Sequence, residues 1–181
     1  MSLEDIKQRL KKEFANDKTL LAWSERGRDY AFIARDKILN AAAILRDEFA
    51  FDFLMDLFCV DYLTYSTPLP DGDRYEIITH LYSSKTNERL FIKTYYSADD
   101  PSAESLTGLY PAANWFEREA FDMYGIIFKN HPDLRRILMY DGFEGHPLRK
   151  DYDIKKRQPL AVLIKKERSV FEDELRGEKF E

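Results

Sequence analysis

Between Glu117 and Asp151 the chain gathers the residues best able to move protons or hold charge: Glu117, Arg118, Glu119, Asp122 and His131, then Arg135, Arg136, His146, Arg149, Lys150 and Asp151. Three carboxylates and an imidazole could serve general acid–base chemistry if they converged. Glu117 and Asp122 lie five positions apart, however, and on a helix they would not share one face closely, which disfavours a carboxylate pair. Arg118 and Asp122 are four apart and are expected to pair on the outside of such a helix, a contact worth only some tenths of a kcal/mol. The guanidiniums of Arg118, Arg135, Arg136 and Arg149 suit a different task, since each can clasp a carboxylate at two points, within the chain or across an interface. A stretch with so few regularly spaced apolar residues builds no core of its own. It becomes ordered only where its charged groups find fixed partners.

Other chemistries lack their residues. The only close glycine pair, Gly142-Phe-Glu-Gly145, has no strand before it, and no glycine precedes a Lys-Ser or Lys-Thr step, so nucleotide-binding loops are excluded. No serine sits in a glycine-flanked elbow, and Cys59 falls in the middle of an apolar strand, where it packs. One cysteine excludes an internal disulfide, and with three histidines it makes no zinc-finger or cluster ligand set. His80 reads as a half-exposed sheet residue. His131 and His146 each precede proline and read as loop residues that fix backbone, with metal binding alongside Asp133 or Glu144 as the sharper alternative.

The elements that must position these residues follow from periodicity. Leu3, Ile6, Leu10 and Phe14 predict an amphipathic helix over 3–15, and Thr19–Trp23 with Tyr30–Ala34 predict a hairpin turning at Gly27. Asp36 is expected to cap a helix over 37–48 whose Ile38, Ala41, Ala42 and Leu45 form one stripe. Strands are predicted over 53–64, 74–83 and 89–97, with turns at 68–72 and 85–87. A connection over 98–113 with one helical turn at 103–107 leads to a helix capped by Asn114 in a capping box with Glu117, buried along Phe116, Ala120, Met123 and Tyr124, and ended by Gly125. Beyond Gly125 the only further element is a weak helix over 169–176. The fold class is α+β: a two-layer sandwich of helices on a mixed or antiparallel sheet, residues 1–125, followed by an extended irregular C-terminal arm, residues 126–181.

Composition agrees with one domain plus an appendage: 181 residues, 44% hydrophobic, net charge −5. Residues 1–128 hold 15 basic and 22 acidic side chains, whereas 129–150 hold five and three, and 155–168 hold six basic against Glu167 alone. An acidic body therefore carries a basic arm. The acidic balance argues against a general nucleic-acid binder. The richest apolar run, Phe51–Val60, is broken by Asp52 and Asp56 and is far short of the roughly 20 residues that span a bilayer, and the N-terminus lacks the apolar centre of a secretion signal, so a soluble chain is expected.

Glu117-Arg118-Glu119, with Asp122 three residues on, His131 after the helix, Arg135 and Ile137-Leu138, resembles the signature of the C subunit of respiratory complex I, the proton-pumping NADH:quinone oxidoreductase. Gly142–Asp151 resembles that family's next block and Ala112-Ala-Asn-Trp-Phe116 its preceding one; Asp61-Tyr62 and Tyr75–Leu81 also fit. Tyr152-Asp153-Ile154 departs from the aromatic, Pro and Leu usual after the last block. The resemblance implies a non-catalytic accessory subunit of the hydrophilic arm, with no cofactor of its own, FMN and iron–sulfur clusters residing in partner subunits. It implies packing against the large quinone-site (D) subunit and neighbouring cluster-bearing subunits, and peripheral attachment on the cytoplasmic side of the inner membrane. The chain's stop at Glu181 suggests the form that is separate from the quinone-site subunit. The charged residues named at the outset are then expected at the partner interface, and the arm is expected to be loose alone and fixed when docked. Two competitors are the equivalent subunit of a hydrogenase-, ferredoxin- or deazaflavin-linked membrane complex, and a stand-alone acid–base enzyme using Glu117, Glu119, Asp122 and His131.

Overall fold

A computed structural model describes residues 3–14, 21–25, 27–155 and 158. Helix α1 (Leu3–Glu13) leads to strands β1 (Leu21–Glu25) and β2 (Arg28–Phe32), then helix α2 (Ile38–Phe49) and strands β3 (Phe53–Asp61), β4 (Tyr75–Tyr82) and β5 (Arg89–Tyr96). A short strand β6 (Ser102–Glu104), helix α3 (Ala113–Tyr124) and strand β7 (Ile127–Lys129) complete the regular structure. The five-stranded sheet has the order β1-β2-β5-β4-β3, antiparallel except where β2 runs parallel to β5. Strands β6 and β7 form a separate parallel pair bridged by α3. The α+β sandwich on a mixed sheet is thus the observed fold.

Alternation in the strands decides which face is covered. Tyr75, Ile77, Thr79 and Leu81 of β4 and Leu90, Ile92, Thr94 and Tyr96 of β5 are buried beneath the helices. Helix α2 lies close because Ala41 and Ala42 keep its contact face small and Ile38 and Leu45 fill the space beside them; all four are buried. The opposite face carries Tyr30, Phe32, Phe91 and Tyr95, half-buried in aromatic pairs with centroids 5.4 Å (Tyr30–Phe91) and 4.6 Å (Phe32–Tyr95) apart. Within it Glu76 is buried, 3.0 Å from Lys93 Nζ and accepting the Tyr62 hydroxyl at 2.9 Å.

Several local expectations need correction. Helix α2 starts after Lys37 with no side-chain cap, so Asp36 does not cap it, and α3 starts after Ala112, again with no side-chain cap. The capping box fails because Glu117 turns into the core, where a backbone donor from outside the helix claims it. Residues 102–104 are a strand because Ser105 N–H and the carbonyl of Lys129 extend the pairing with β7. The third strand ends at Asp61, and Phe116 and Tyr124 of the α3 stripe are half-buried only. The helix expected over 169–176 lies outside the described residues.

Leu45 is fully buried and Leu39 is 41% exposed on the same helix. Leu45→Ala is expected to lower unfolding stability by about 2–5 kcal/mol and Leu39→Ala by less than about 0.5 kcal/mol, read from urea midpoints.

Candidate functional site

Two aspartates of the body reach the segment beyond Gly125 and fix it. Asp122, on the last turn of α3, is fully buried. One oxygen accepts Arg136 Nη1 at 2.6 Å; the other accepts the backbone N–H groups of Ile137, Leu138 and Met139 at 3.0, 2.8 and 2.8 Å. Three successive amides wrapped round one oxygen form an anion-binding nest. Burial pushes this carboxyl's pKa up, but the three amides and the guanidinium outweigh it and hold the group below the ordinary aspartate range.

Asp61, at the end of β3, is the second anchor. Arg74 grips it with two parallel bonds, Nε to Oδ1 at 3.0 Å and Nη2 to Oδ2 at 2.7 Å, and the N–H groups of Leu63 and Lys150 add bonds of 3.0 and 2.8 Å. The same Arg74 reaches forward to Asp151, Nη1 to Oδ2 at 3.0 Å. Here too burial acts upward and the bonds from Arg74, Lys150 and Leu63 prevail, leaving the Asp61 carboxyl low. Tyr75 lies under both Arg74 and Arg149, whose guanidinium carbons stand 5.0 and 5.7 Å from its ring centre.

The remaining arm residues serve the same attachment. Arg118 leaves its helix to donate to the carbonyls of Arg135 and Arg136 at 3.1 and 3.0 Å, with its guanidinium over Trp115. The expected outward Arg118–Asp122 pair therefore does not form; both are buried, and each takes partners from the arm in place of the other. Arg136 adds a bond to the carbonyl of Gly145, 3.0 Å, and Arg149 Nε donates to the carbonyl of Tyr124 at 2.5 Å. His131 Nδ1 accepts the N–H of Asp133 at 3.0 Å, which makes Nε2 the donor to the carbonyl of Asn114 at 3.2 Å. His146 Nδ1 donates to the carbonyl of Asp122 at 2.9 Å. Both histidines fix backbone, as their loop positions suggested.

Gly125 makes this closure possible. It ends α3 at φ +76°, and a Cβ there would collide with the guanidinium of Arg149 and the ring of His146. Among the charged residues singled out in the sequence, Glu119, Arg135, Lys150 and Asp151 have exposed side chains, whereas Glu117, Arg118 and Asp122 are buried. Glu117, Asp122 and His131 each hold a different partner, Leu106, the 136–139 turn and Asn114, so they do not converge on one reacting centre. Among the described residues no three His, Cys, Asp or Glu side chains form a group able to hold a metal ion. Cys59 is buried, and burial first of all pushes its thiol pKa far up, which leaves it unreactive. Asp61 and Arg74 are the residues that sequence reading passed over as site residues; Asp61 ends β3 and Arg74 immediately precedes β4, and nothing in their local pattern announces a partner at residue 151.

The arm up to Asp151 is thus bonded to the chain's own body, and the expectation that it is loose before docking is open to a direct test. Limited trypsinolysis of the free chain and of the assembled complex should give equal protection over 130–149. Asp122→Ala strands three amides and a guanidinium and is expected to cost on the order of 3–5 kcal/mol and to open that region to cleavage. With folded-state pKa values lowered, the Asp61 and Asp122 contributions are present above the unfolded value of 3.8 and are lost as pH falls below it and through the lower folded values, so acid unfolding of Asp122→Asn should be less steep than that of the wild type.

The described architecture recurs in known proteins. The family "Respiratory-chain NADH dehydrogenase, 30 Kd subunit" matches residues 31–158. The NADH-quinone oxidoreductase C subunit of Acidithiobacillus ferrooxidans is 43% identical over 156 residues, covering 84% of this chain and 76% of the relative. That of Laribacter hongkongensis is 41% identical over 154 residues, covering 84% and 78%. Among solved structures, a trypsin-resistant fragment of Nqo5 superposes with a TM-score of 0.61 at 30% identity over 71% of this chain and 99% of the fragment. A chain of the membrane-bound sulfane sulfur reductase, an archaeal respiratory membrane complex, shares the fold at a TM-score of 0.64 and 23% identity, covering 89% of this chain and 90% of that one. The chain belongs to the family of 30 kDa subunits of the respiratory-chain NADH dehydrogenase, the C subunits of NADH-quinone oxidoreductases.

Proposed function

We propose that the chain is a non-catalytic scaffold of the hydrophilic arm of a proton-translocating NADH:quinone oxidoreductase. In this reading electron transfer from NADH to quinone belongs to the assembly. The flavin and iron–sulfur clusters sit in partner subunits, and this chain supplies interface geometry to the quinone-site subunit and its cluster-bearing neighbours. Attachment to the inner membrane is peripheral, on the cytoplasmic side. Among the described residues no helix is long and apolar enough to cross a membrane.

One observation carries the reading: the segment beyond Gly125 is bound to the body through its own Arg136 and through the buried Arg118 and Asp122 of α3, while three of its apolar side chains face solvent. Asp122, Arg118 and Arg136 are spent on the chain's own backbone and on each other, while Leu138, Leu148 and Ile154 are 58, 47 and 85% exposed. An enzyme would turn its titratable groups toward a cleft; a docking segment presents apolar side chains to be covered. The fold shared with the archaeal sulfane sulfur reductase complex supports a second reading, the counterpart subunit of a membrane complex fed by another electron donor. Whether genes for NADH-binding subunits lie alongside separates the two.

Pull-down from native membranes tests the proposal. Wild-type chain should recover the quinone-site subunit. Leu138→Asp and Leu148→Asp are expected to reduce that recovery at least about tenfold with unchanged thermal midpoints, since exposed sites tolerate charge in the free chain. Arg135→Ala, whose side chain is exposed and among the described residues bonds Asp133 alone, two residues away, is expected to weaken recovery without unfolding the body. Unaltered recovery by all three variants would count against an interface at this segment.

A further inference from the structure

Glu117 is the one carboxyl of α3 that neither the arm nor solvent engages. It is fully buried, and its Oε1 accepts the N–H of Leu106 at 2.7 Å. Its Oε2 is buried with no hydrogen-bond partner among the described residues. The Ser105 hydroxyl, 2.8 Å from that of Thr107, is the other group that favours the charged form of Glu117. Asp61, Asp122 and Glu76, the other buried carboxylates, each have a cation within 3.0 Å. Glu117 has no such partner among the described residues.

The elements packed around it offer no countercharge. In the loop between β6 and α3, Tyr110 donates its hydroxyl to the carbonyls of Phe51 and Ala42 at 2.9 and 3.4 Å. On β5, Tyr96 is a buried phenol whose own ionisation burial suppresses. On β6, Glu104 accepts Asn130 Nδ2 at 3.1 Å. Cys59 on β3 is a neutral thiol, and on α3 itself Arg118 and Asp122 are bonded to the arm while Glu119 is exposed. A carboxylate with one amide donor, one serine hydroxyl and no cation among the described residues is an expensive ion to bury; the neutral acid satisfies the same amide bond at far lower desolvation cost.

We infer that Glu117 is held as the neutral carboxylic acid in the folded chain, a proton-loaded latch between α3 and the 105–110 loop whose ionisation loosens that contact. The latch joins two halves of the molecule. The loop it holds is tied through Tyr110 to α2 and the start of β3, and through the N–H of Ser105 to the carbonyl of Lys129. The helix it holds carries Arg118 and Asp122, which fix the arm. Burial pushes the carboxyl up from 4.5 to about 7, against the pull of Ser105 and the Leu106 amide. Since the folded form then binds the proton more tightly than the unfolded chain, the contribution of Glu117 to stability is highest below 4.5, falls as pH rises and levels off above about 7. The inference concerns the free chain and holds whatever the chain assembles with.

The test follows unfolding constants of the wild-type chain and of Glu117→Gln by urea denaturation from about pH 5 to about pH 9. Between pH 5 and 7 the wild-type constant should rise by roughly fivefold per pH unit relative to the variant, a difference in which the opposing titrations of His80 and His146 cancel. Amide exchange at Leu106 should quicken over the same range in the wild type and not in the variant. Parallel pH profiles for the two chains would overturn the inference. Should Glu117→Gln fail to fold, carbon NMR of the wild-type Glu117 carboxyl decides: a midpoint well above the ordinary glutamate value supports the latch, and one at or below it overturns it.

Discussion

Two buried carboxylates, Asp61 and Asp122, set the constraint from which the rest of the site follows. An ion in the interior carries a desolvation cost of several kcal/mol, and it persists only where donors meet most of its lone pairs. Each aspartate answers this with four bonds, two from one guanidinium and two from amides for Asp61, one from a guanidinium and three from amides for Asp122. The donors lie 13 to 89 positions away in sequence for the arginine and arm contacts, so satisfying the charge closes the chain on itself. The arm is a consequence of the body's buried charge, with no apolar core of its own.

Because the donors at 137–139 and at 150 are backbone amides, their side chains are released from the attachment. Leu138 and the side chain of Lys150 point to solvent while the main chain beneath them is fixed. A surface of this kind is rigid without spending its side chains on rigidity. That suits the docking role proposed above, with little conformational entropy left to lose on contact.

Periodicity made the body legible from sequence. The stripe Ile38, Ala41, Ala42 and Leu45 and the alternation in Tyr75–Leu81 state their buried faces directly, because burial there follows the local repeat. Gly125 likewise announced a helix end. The arm's chemistry was legible as composition and as a family signature, but its pairing was not. Arg118 and Asp122 have the spacing of an exposed pair, and only tertiary contacts from 135–139 draw both away. Glu117 has the spacing of a capping residue, and Leu106 overrides it. Asp61 ends β3 and Arg74 precedes β4, and no repeat links them to Asp151.

The order of the sheet has a further consequence for how the molecule comes into being. Strand β5 sits between β2 and β4 and pairs in parallel with β2, although some 60 residues of chain separate the two. During synthesis the β1–β2 hairpin leaves the ribosome with its inner edge open, and it stays so until residue 96 has emerged. Two-stranded ribbons are marginal in water and unpaired edges invite pairing with other chains. The N-terminal half therefore carries an unpaired edge until one late strand is inserted, which puts a long-range contact on the path to the complete sheet.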